Sequence, residues 1–158
     1  MKNVLPLETP LGVLYLVAED QALIGAWFAE QKHFPDQDGW QQAPQDPLLQ
    51  EAARQVAEFF AGQRQQFALP LAPKGTSFQQ QVWRQLQAIP FGQTRSYGEL
   101  AAAMGRPSAV RALAAANGRN PLSILIPCHR VIGANGSLTG YAGGLERKAF
   151  LLDLEQQP

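Results

Sequence analysis

The chain has 158 residues, 46% of them hydrophobic, with a single cysteine and thirteen basic residues balancing thirteen acidic ones. This composition excludes a disordered chain, an internal disulfide and a CxxC-type structural zinc site, and it leaves room for one domain or two small ones. The zero net charge argues neither for nor against a nucleic-acid partner, and the opening "MKNVLPLETP" lacks the apolar core of a secretory signal. No run is long enough to span a bilayer, so the expectation is a soluble, cytoplasmic protein without a membrane partner.

In chain order, "LGVLYLVAED" and "ALIGAWFA" are rich in β-branched and aromatic residues and predict two strands joined as a hairpin across "EDQ". A turn-rich loop, "HFPDQDGWQQAPQD", follows; it carries His33, which has no second ligand candidate nearby and reads as solvent-exposed. "DPLLQEAARQVAEFFAG" then spaces Leu49, Ala53, Val56 and Phe60 at helical intervals, with Asp46 before Pro47 as its cap and Gly62 near its end. Two prolines and a glycine in "LPLAPKGT", residues 69–76, read as a linker. A domain boundary is placed there, giving 1–73 and 74–158.

Beyond it, "TSFQQQVWRQLQAIPFG" opens with Thr76 and Gln79 in capping-box spacing and predicts a helix burying Phe78, Val82, Leu86 and Ile89. "SYGELAAAMG" repeats the pattern, with Ser96 and Glu99 as the box and Gly105 as the stop. After "GRP", "SAVRALAAAN" predicts a further helix with Pro107 near its first turn. Two short helices joined by a glycine-containing turn are the pattern of a helix-turn-helix. The expected fold class is therefore α+β: a small N-terminal α/β domain with a short antiparallel sheet, then a mostly helical C-terminal domain.

Charge is distributed unevenly. Residues 1–73 carry four basic and nine acidic side chains, a net of −5; residues 74–158 carry nine and four, a net of +5. Between Lys74 and Arg130 seven basic residues face only Glu99, which suggests a polyanionic partner against the alternative of a solvated face. The second helix of the pair is almost all small residues around one long polar side chain, Arg111, too few polar groups to read base edges. The lone thiol sits in "IPCHRVIG". A free cysteine is commonly a small buried hydrophobe; beside a histidine and an arginine it is also a candidate nucleophile whose cationic neighbours would favour the thiolate. Adjacency alone leaves both readings open.

"PCHRV", with "RNP" upstream and "GYAGG" downstream, resembles the O6-alkylguanine-DNA alkyltransferases, the methylated-DNA–protein-cysteine methyltransferases, of the bacterial Ogt type. The likeness is close over residues 76–155, and the first half is compatible with the family's variable N-terminal domain. It implies a ribonuclease H-like first domain, a winged-helix-like second one, and a DNA-repair activity: one stoichiometric transfer of an alkyl group from O6-alkylguanine, with O4-methylthymine as a further substrate, onto Cys128. By the same resemblance His129 is the base acting through a bridging water, and Glu155 orients it. Asn120 ties the helix-turn-helix to the cysteine loop. Tyr97 turns the phosphate and assists the leaving guanine. Arg111 is the finger that replaces the flipped nucleotide, and Ala109, Ala112 and Ala115 let the helix lie in the minor groove, with Ser96 and Arg95 as further DNA contacts. Tyr141, Ala142, Gly143 and Gly144, the Val131 backbone and Ser123 would line the base pocket. Ala142 stands where some relatives have serine, and Ser123 where some have proline. Neither cofactor nor metal is implied; the partner is double-stranded DNA, and the protein a monomer in solution that could bind it cooperatively. A cysteine hydrolase would use the same Cys128, His129 and Glu155 but turn over; a non-enzymatic lesion sensor would lack the cysteine; a transcription regulator would need a base-reading helix.

Overall fold

The computed structural model describes residues 1–157, which divide into two units: Met1–Lys74 with Pro121–Leu125, and Gly75–Asn120 with Ile126 onward. The excursion of residues 121–125 into the first unit has no counterpart in the sequence reading, which drew one uninterrupted second half.

In the first unit, β1 (Lys2–Thr9), β2 (Gly12–Glu19), β3 (Ala22–Phe28) and β4 (Trp40–Gln42) form one sheet in the order β3-β2-β1-β4. The β2–β3 hairpin turns at Asp20 and Gln21, both with positive φ (52° and 64°), the two-residue geometry whose twist matches the strands. β1 was not expected, because its polar and proline positions (Asn3, Pro6, Glu8) break the apolar run; it nevertheless pairs with β2 from Asn3↔Ala18 to Thr9↔Gly12. The sheet is also not purely antiparallel, since β4 runs parallel to β1. The free edge of β3 is covered within the same unit by two extended segments. Leu23 exchanges backbone hydrogen bonds with Pro70 and Ala72, and Ala26 with Pro121 and Ser123. Both N–H and C=O of an otherwise open edge are thereby satisfied. Ile124, buried with φ 72°, follows in a tight turn closed by Leu125 N–H to Ser123 C=O at 2.8 Å, a rare conformation for a β-branched residue.

Helix α1 (Pro47–Phe60) contacts β1, β2 and β3. Its buried stripe is Leu49, Ala52, Val56 and Phe59, so two of the expected positions, Ala53 and Phe60, lie one residue off the true seam and are only half-buried. Gln55, on the same face, is buried because its amide pairs with Ala68 in both directions. The opposite face of the sheet gathers Val4, Val17 and Ile24 under Tyr15, Trp27 and Trp40.

The second unit holds α2 (Ser77–Gln87), β5 (Arg95–Ser96), α3 (Tyr97–Ala103), α4 (Val110–Gly118), a 3₁₀ turn at Cys128–Arg130, β6 (Val131–Ile132) and α5 (Leu145–Gln156). Both expected capping boxes are complete, Thr76 with Gln79 and Ser96 with Glu99. Gly105 at φ 71° stops α3 as read from the sequence. Pro107, however, lies in a separate turn, and α4 begins at Val110 without a side-chain cap. The Trp83 indole donates to the Ala116 carbonyl at 2.9 Å, tying α2 to α4, while α3 and α4 form the helix-turn-helix. The parallel pair β5–β6 sets Arg95 opposite Val131.

Asp46 caps α1 by accepting from the N–H groups of Leu48 and Leu49 and also accepts from Asn3 Nδ2 at 2.8 Å. The Asn3 hydrogen bond is the main cause holding its carboxyl below the usual range; burial opposes it, and the Leu49 and Leu48 N–H groups add to it. Asp46→Ala should cost about 1–2 kcal/mol in urea unfolding at neutral pH. Because the folded value is depressed, this contribution is present above the unfolded pKa of 3.8 and is lost as pH falls through the lower folded value, so the two proteins should converge in acid.

Candidate active site

The cysteine loop is shaped by its own backbone. Pro127 adopts φ −79° and ψ 65°, so Cys128 N–H reaches back to Ile126 C=O at 2.7 Å, and Arg130 N–H then bonds Pro127 C=O at 3.0 Å, closing the 3₁₀ turn. Two asparagines pin the turn. Asn120 Nδ2 donates to Ile126 C=O at 2.8 Å, and Asn117 Nδ2, from α4, approaches Cys128 C=O at 3.4 Å. Asn120 also offers its side chain to the Cys128 sulfur.

Every chemically distinctive side chain of this turn is buried: Cys128 is 3% exposed, His129 0% and Arg130 6%. Glu155, from α5, meets two of them. Its Oε2 lies 2.7 Å from His129 Nε2, and Arg130 grips both oxygens at 2.8 Å through Nε and Nη2 while giving Nη1 to Ile89 C=O at 2.7 Å. Burial by itself would raise the Glu155 carboxyl, but the hydrogen bonds of His129 and Arg130, with the Arg130 charge, outweigh it and hold the group near about 2. His129 moves the other way: burial depresses the imidazole more than Glu155 raises it, so the ring is neutral near pH 7. A neutral ring whose Nε2 faces a carboxylate carries its proton there. Nδ1 is then a lone-pair acceptor, and it has no hydrogen-bond partner among the described residues.

Of the two readings of Cys128 left open by adjacency, the thiolate favoured by its neighbours is not the one its surroundings support. Burial pushes Cys128 up to about 11, against the lowering effects of the Asn120 hydrogen bond and the Lys148 charge. The expected cationic neighbours do not deliver charge to it, because His129 is neutral and the Arg130 guanidinium is bound by Glu155. Arg130 is likewise withdrawn from the basic surface facing a polyanion. Among the described residues no group of histidine, cysteine and acidic side chains is arranged to hold a metal ion.

Around the turn, Tyr97 is buried at the start of α3 and donates its hydroxyl to Thr139 C=O at 3.0 Å. Burial raises its pKa, and a Cys128 thiolate would add to that, so the two groups lie within electrostatic reach. Tyr141 is buried; a Cβ at Gly143 would fall 2.5 Å from its ring, so only glycine lets backbone and ring close up. Gly144, at φ 95°, starts α5, and Ala142 is half-buried between them. Val131 is buried, with its carbonyl accepting from Lys148 Nζ at 2.5 Å. Ser123 belongs to the first unit, where its N–H pairs with β3. Ser96 spends its hydroxyl on the capping box, and Arg95 bonds Thr94 C=O and Gln93 Oε1.

Arg111, Ala112 and Ala115 are not part of the buried cluster. They lie with Arg119 on the exposed face of α4, while Ala109, half-buried, precedes its first turn. The opposite face buries Leu113, Ala116 and Asn117. Two residues of the site have no place in the sequence reading: Asn117 falls in the small-residue helix, and Lys148 lies inside "RKAFLLDLE". A lysine spaced to fall on the apolar face of a helix was the available signal for the last.

Two family models cover nearly all of the chain: the ribonuclease-like domain of 6-O-methylguanine DNA methyltransferase over residues 6–73, and its DNA-binding domain over residues 77–157. The constitutive methylated-DNA–protein-cysteine methyltransferase of Bacillus subtilis is 51% identical over 156 residues, covering 94% of this chain and 92% of its own. The Mycolicibacterium paratuberculosis methyltransferase of the same name is 46% identical over 150 residues, with 95% and 90% covered. Among solved structures, Mycobacterium tuberculosis OGT in complex with DNA superposes with a TM-score of 0.93 at 44% identity, covering 98% of this chain and 93% of that one. With a thiol, an imidazole and a carboxylate in its second unit and both family domains matched over residues 6–73 and 77–157, the chain belongs to the 6-O-methylguanine DNA methyltransferase family.

Proposed function

We propose that the protein repairs DNA by moving the alkyl group of O6-alkylguanine onto Cys128 in a single, irreversible transfer. The observation that carries this reading is the buried His129 with Nε2 committed to Glu155 and Nδ1 left as an acceptor, next in sequence to the chain's one thiol. A thiol near about 11 is almost wholly protonated at neutral pH, so it stays quiet until a base removes its proton at the moment of attack. His129 Nδ1, through a bridging water, is that base, and Glu155 balances the imidazolium as it forms. The sulfur bonds to the alkyl carbon, the carbon–O6 bond breaks, and guanine leaves with a proton delivered to it, Tyr97 being the neighbouring donor. The thioether that remains has no leaving path, so each molecule acts once.

The O6 atom is inaccessible inside a stacked duplex, so the nucleotide must be extruded. Arg111, projecting from the exposed face of α4, fills the vacated place. The small side chains Ala109, Ala112 and Ala115 allow that helix to lie against the minor groove, with Ser96 and Arg95 at the rim. Asn120 couples α4 to the cysteine turn through its bond to Ile126. Tyr141, Ala142, Gly143, Gly144 and the Val131 backbone frame the flipped base. The chain acts as a monomer that could bind cooperatively along a duplex. Its location is cytoplasmic, where the one thiol stays reduced; no described helix is long and apolar enough to cross a membrane.

Incubation with an oligonucleotide carrying O6-methylguanine should add one methyl to Cys128 by intact mass and stop there. Repeated turnover, or no transfer, would overturn the reading. Cys128→Ser should abolish transfer while keeping affinity for the damaged duplex within about threefold. Arg111→Ala should slow repair of duplex by on the order of a hundredfold, matching a few kcal/mol of unstacking, yet leave reaction with free O6-benzylguanine nearly unchanged. If Arg111 were only a phosphate contact, the loss would be equal on damaged and undamaged DNA, with the salt slope reduced by about one.

Removing the Glu155 charge strands Arg130. Glu155→Gln should destabilise the fold by about 3–5 kcal/mol, and adding Arg130→Met should recover part of that loss, which urea unfolding of the two single and the double variant measures. Since the Glu155 value is depressed on folding, the wild-type contribution is fully present above about 4.5 and is lost as pH falls toward about 2.

A further inference from the structure

Lys148 is completely buried on α5, a rare situation for a lysine, and among the described residues no carboxylate forms an ion pair with it. Its ammonium group instead donates to two backbone carbonyls, Val131 at 2.5 Å and Thr139 at 2.6 Å. These carbonyls belong to different parts of the chain: Val131 is the first residue of β6, directly after the cysteine turn, and Thr139 lies in the loop between β6 and α5. That loop has glycine at 133, 136, 140, 143 and 144, so it brings little stiffness of its own. Its internal hydrogen bonds are local, from Gly133 to Ser137, from Gly136 to Gly133 and from Gly144 to Tyr141. The Thr139 carbonyl is a junction, since it also accepts the Tyr97 hydroxyl. A Cβ at Gly140 would meet that hydroxyl at 2.8 Å, so the loop passes as close to Tyr97 as a backbone can.

We propose that Lys148 is a positioning residue for alkyl transfer: by bridging Val131 and Thr139 it holds the loop that carries Tyr141, Ala142, Gly143 and Gly144 closed beside the cysteine turn and in register with Tyr97. A single side chain thereby joins the strand after the nucleophile, the wall of the base pocket and the α3 tyrosine. Only a long, flexible, multiply donating group suits this place, because the two acceptors are main-chain oxygens that offer no charge for a bidentate guanidinium to match. Burial lowers the ammonium to about 8, while a Cys128 thiolate would raise it, so the clamp is charged near neutral pH. The inference rests on the base-pocket reading above.

The test uses the full chain and free O6-benzylguanine, which needs no DNA. Benzylation of Cys128 is followed by intact mass as a function of benzylguanine concentration in wild type, Lys148→Met and Lys148→Gln. In parallel, the rate of Cys128 alkylation by iodoacetamide and amide hydrogen exchange over residues 133–144 are measured. Absence of benzylation in the wild type would overturn the pocket reading itself. With the wild type reacting, Lys148→Met should raise the half-saturating concentration by about tenfold, the equivalent of one lost hydrogen bond to a charged group. It should also speed exchange in the loop and leave the iodoacetamide rate within about twofold. Lys148→Gln, a neutral donor, should restore much of the binding. Unchanged loop exchange, or an iodoacetamide rate that falls as far as benzylation does in both variants, would overturn the clamp and assign the lysine to thiolate electrostatics. If Lys148→Met does not fold, the same comparison is read between wild type and Lys148→Gln.

Discussion

The buried carboxylate of Glu155 is the constraint on which the rest of the second unit depends. A carboxylate taken out of water costs several kcal/mol unless strong donors surround it. Here Arg130 supplies two donors, His129 a third, and the Gly92 N–H approaches at 3.4 Å. Because Glu155 is on α5 and both partners are on the cysteine turn, satisfying one charge docks the last helix against the nucleophile. The same contact selects the histidine tautomer, so the interaction that stabilises the fold also presents a basic nitrogen. Stability and chemistry are one arrangement rather than two.

Reactivity in this site is controlled by burial more than by charge. Desolvation favours the thiol form of Cys128 and the uncharged form of His129, and the Arg130 guanidinium is bound by Glu155. A thiol held in this state resists adventitious oxidation and metal capture, both of which need the thiolate. The residues that touch the backbone of the turn are amides: Asn117 from α4 and Asn120 just beyond it. One helix thus presents Arg111, Ala112 and Ala115 outward and Asn117 toward the cysteine turn.

How much of this could be read beforehand depends on whether the cause was local. The capping boxes at Thr76 and Ser96, the stop at Gly105 and the β2–β3 turn were legible because each is settled by residues within four positions of one another. β1 was not, because Asn3, Pro6 and Glu8 interrupt its apolar run, and β4 was not, since its three residues become a strand only by pairing with β1, 38 residues away. On α1 the period was right but two positions of the seam were off by one, because Ala52 and Phe59 are chosen by the sheet they meet and not by the helix. The excursion of residues 121–125 to the edge of β3 is a wholly non-local event.

The sequence by itself determined the helix boundaries set by capping, the lone thiol in its proline-flanked turn, and, through the resemblance carried by "PCHRV", "RNP" and "GYAGG", the family to which the chain belongs. It did not determine the state of that thiol. Adjacency in the chain left open a buried hydrophobe and a nucleophile whose thiolate His129 and Arg130 would favour, because protonation depends on solvent exclusion and on which charges are already paired. Only the tertiary structure supplies those: Glu155, 25 residues beyond Arg130, takes the guanidinium, and Lys148 is drawn into the interior to satisfy two carbonyls. Desolvation and ion pairing are properties of the space around a residue, and that space is filled by parts of the chain that lie far from it in sequence.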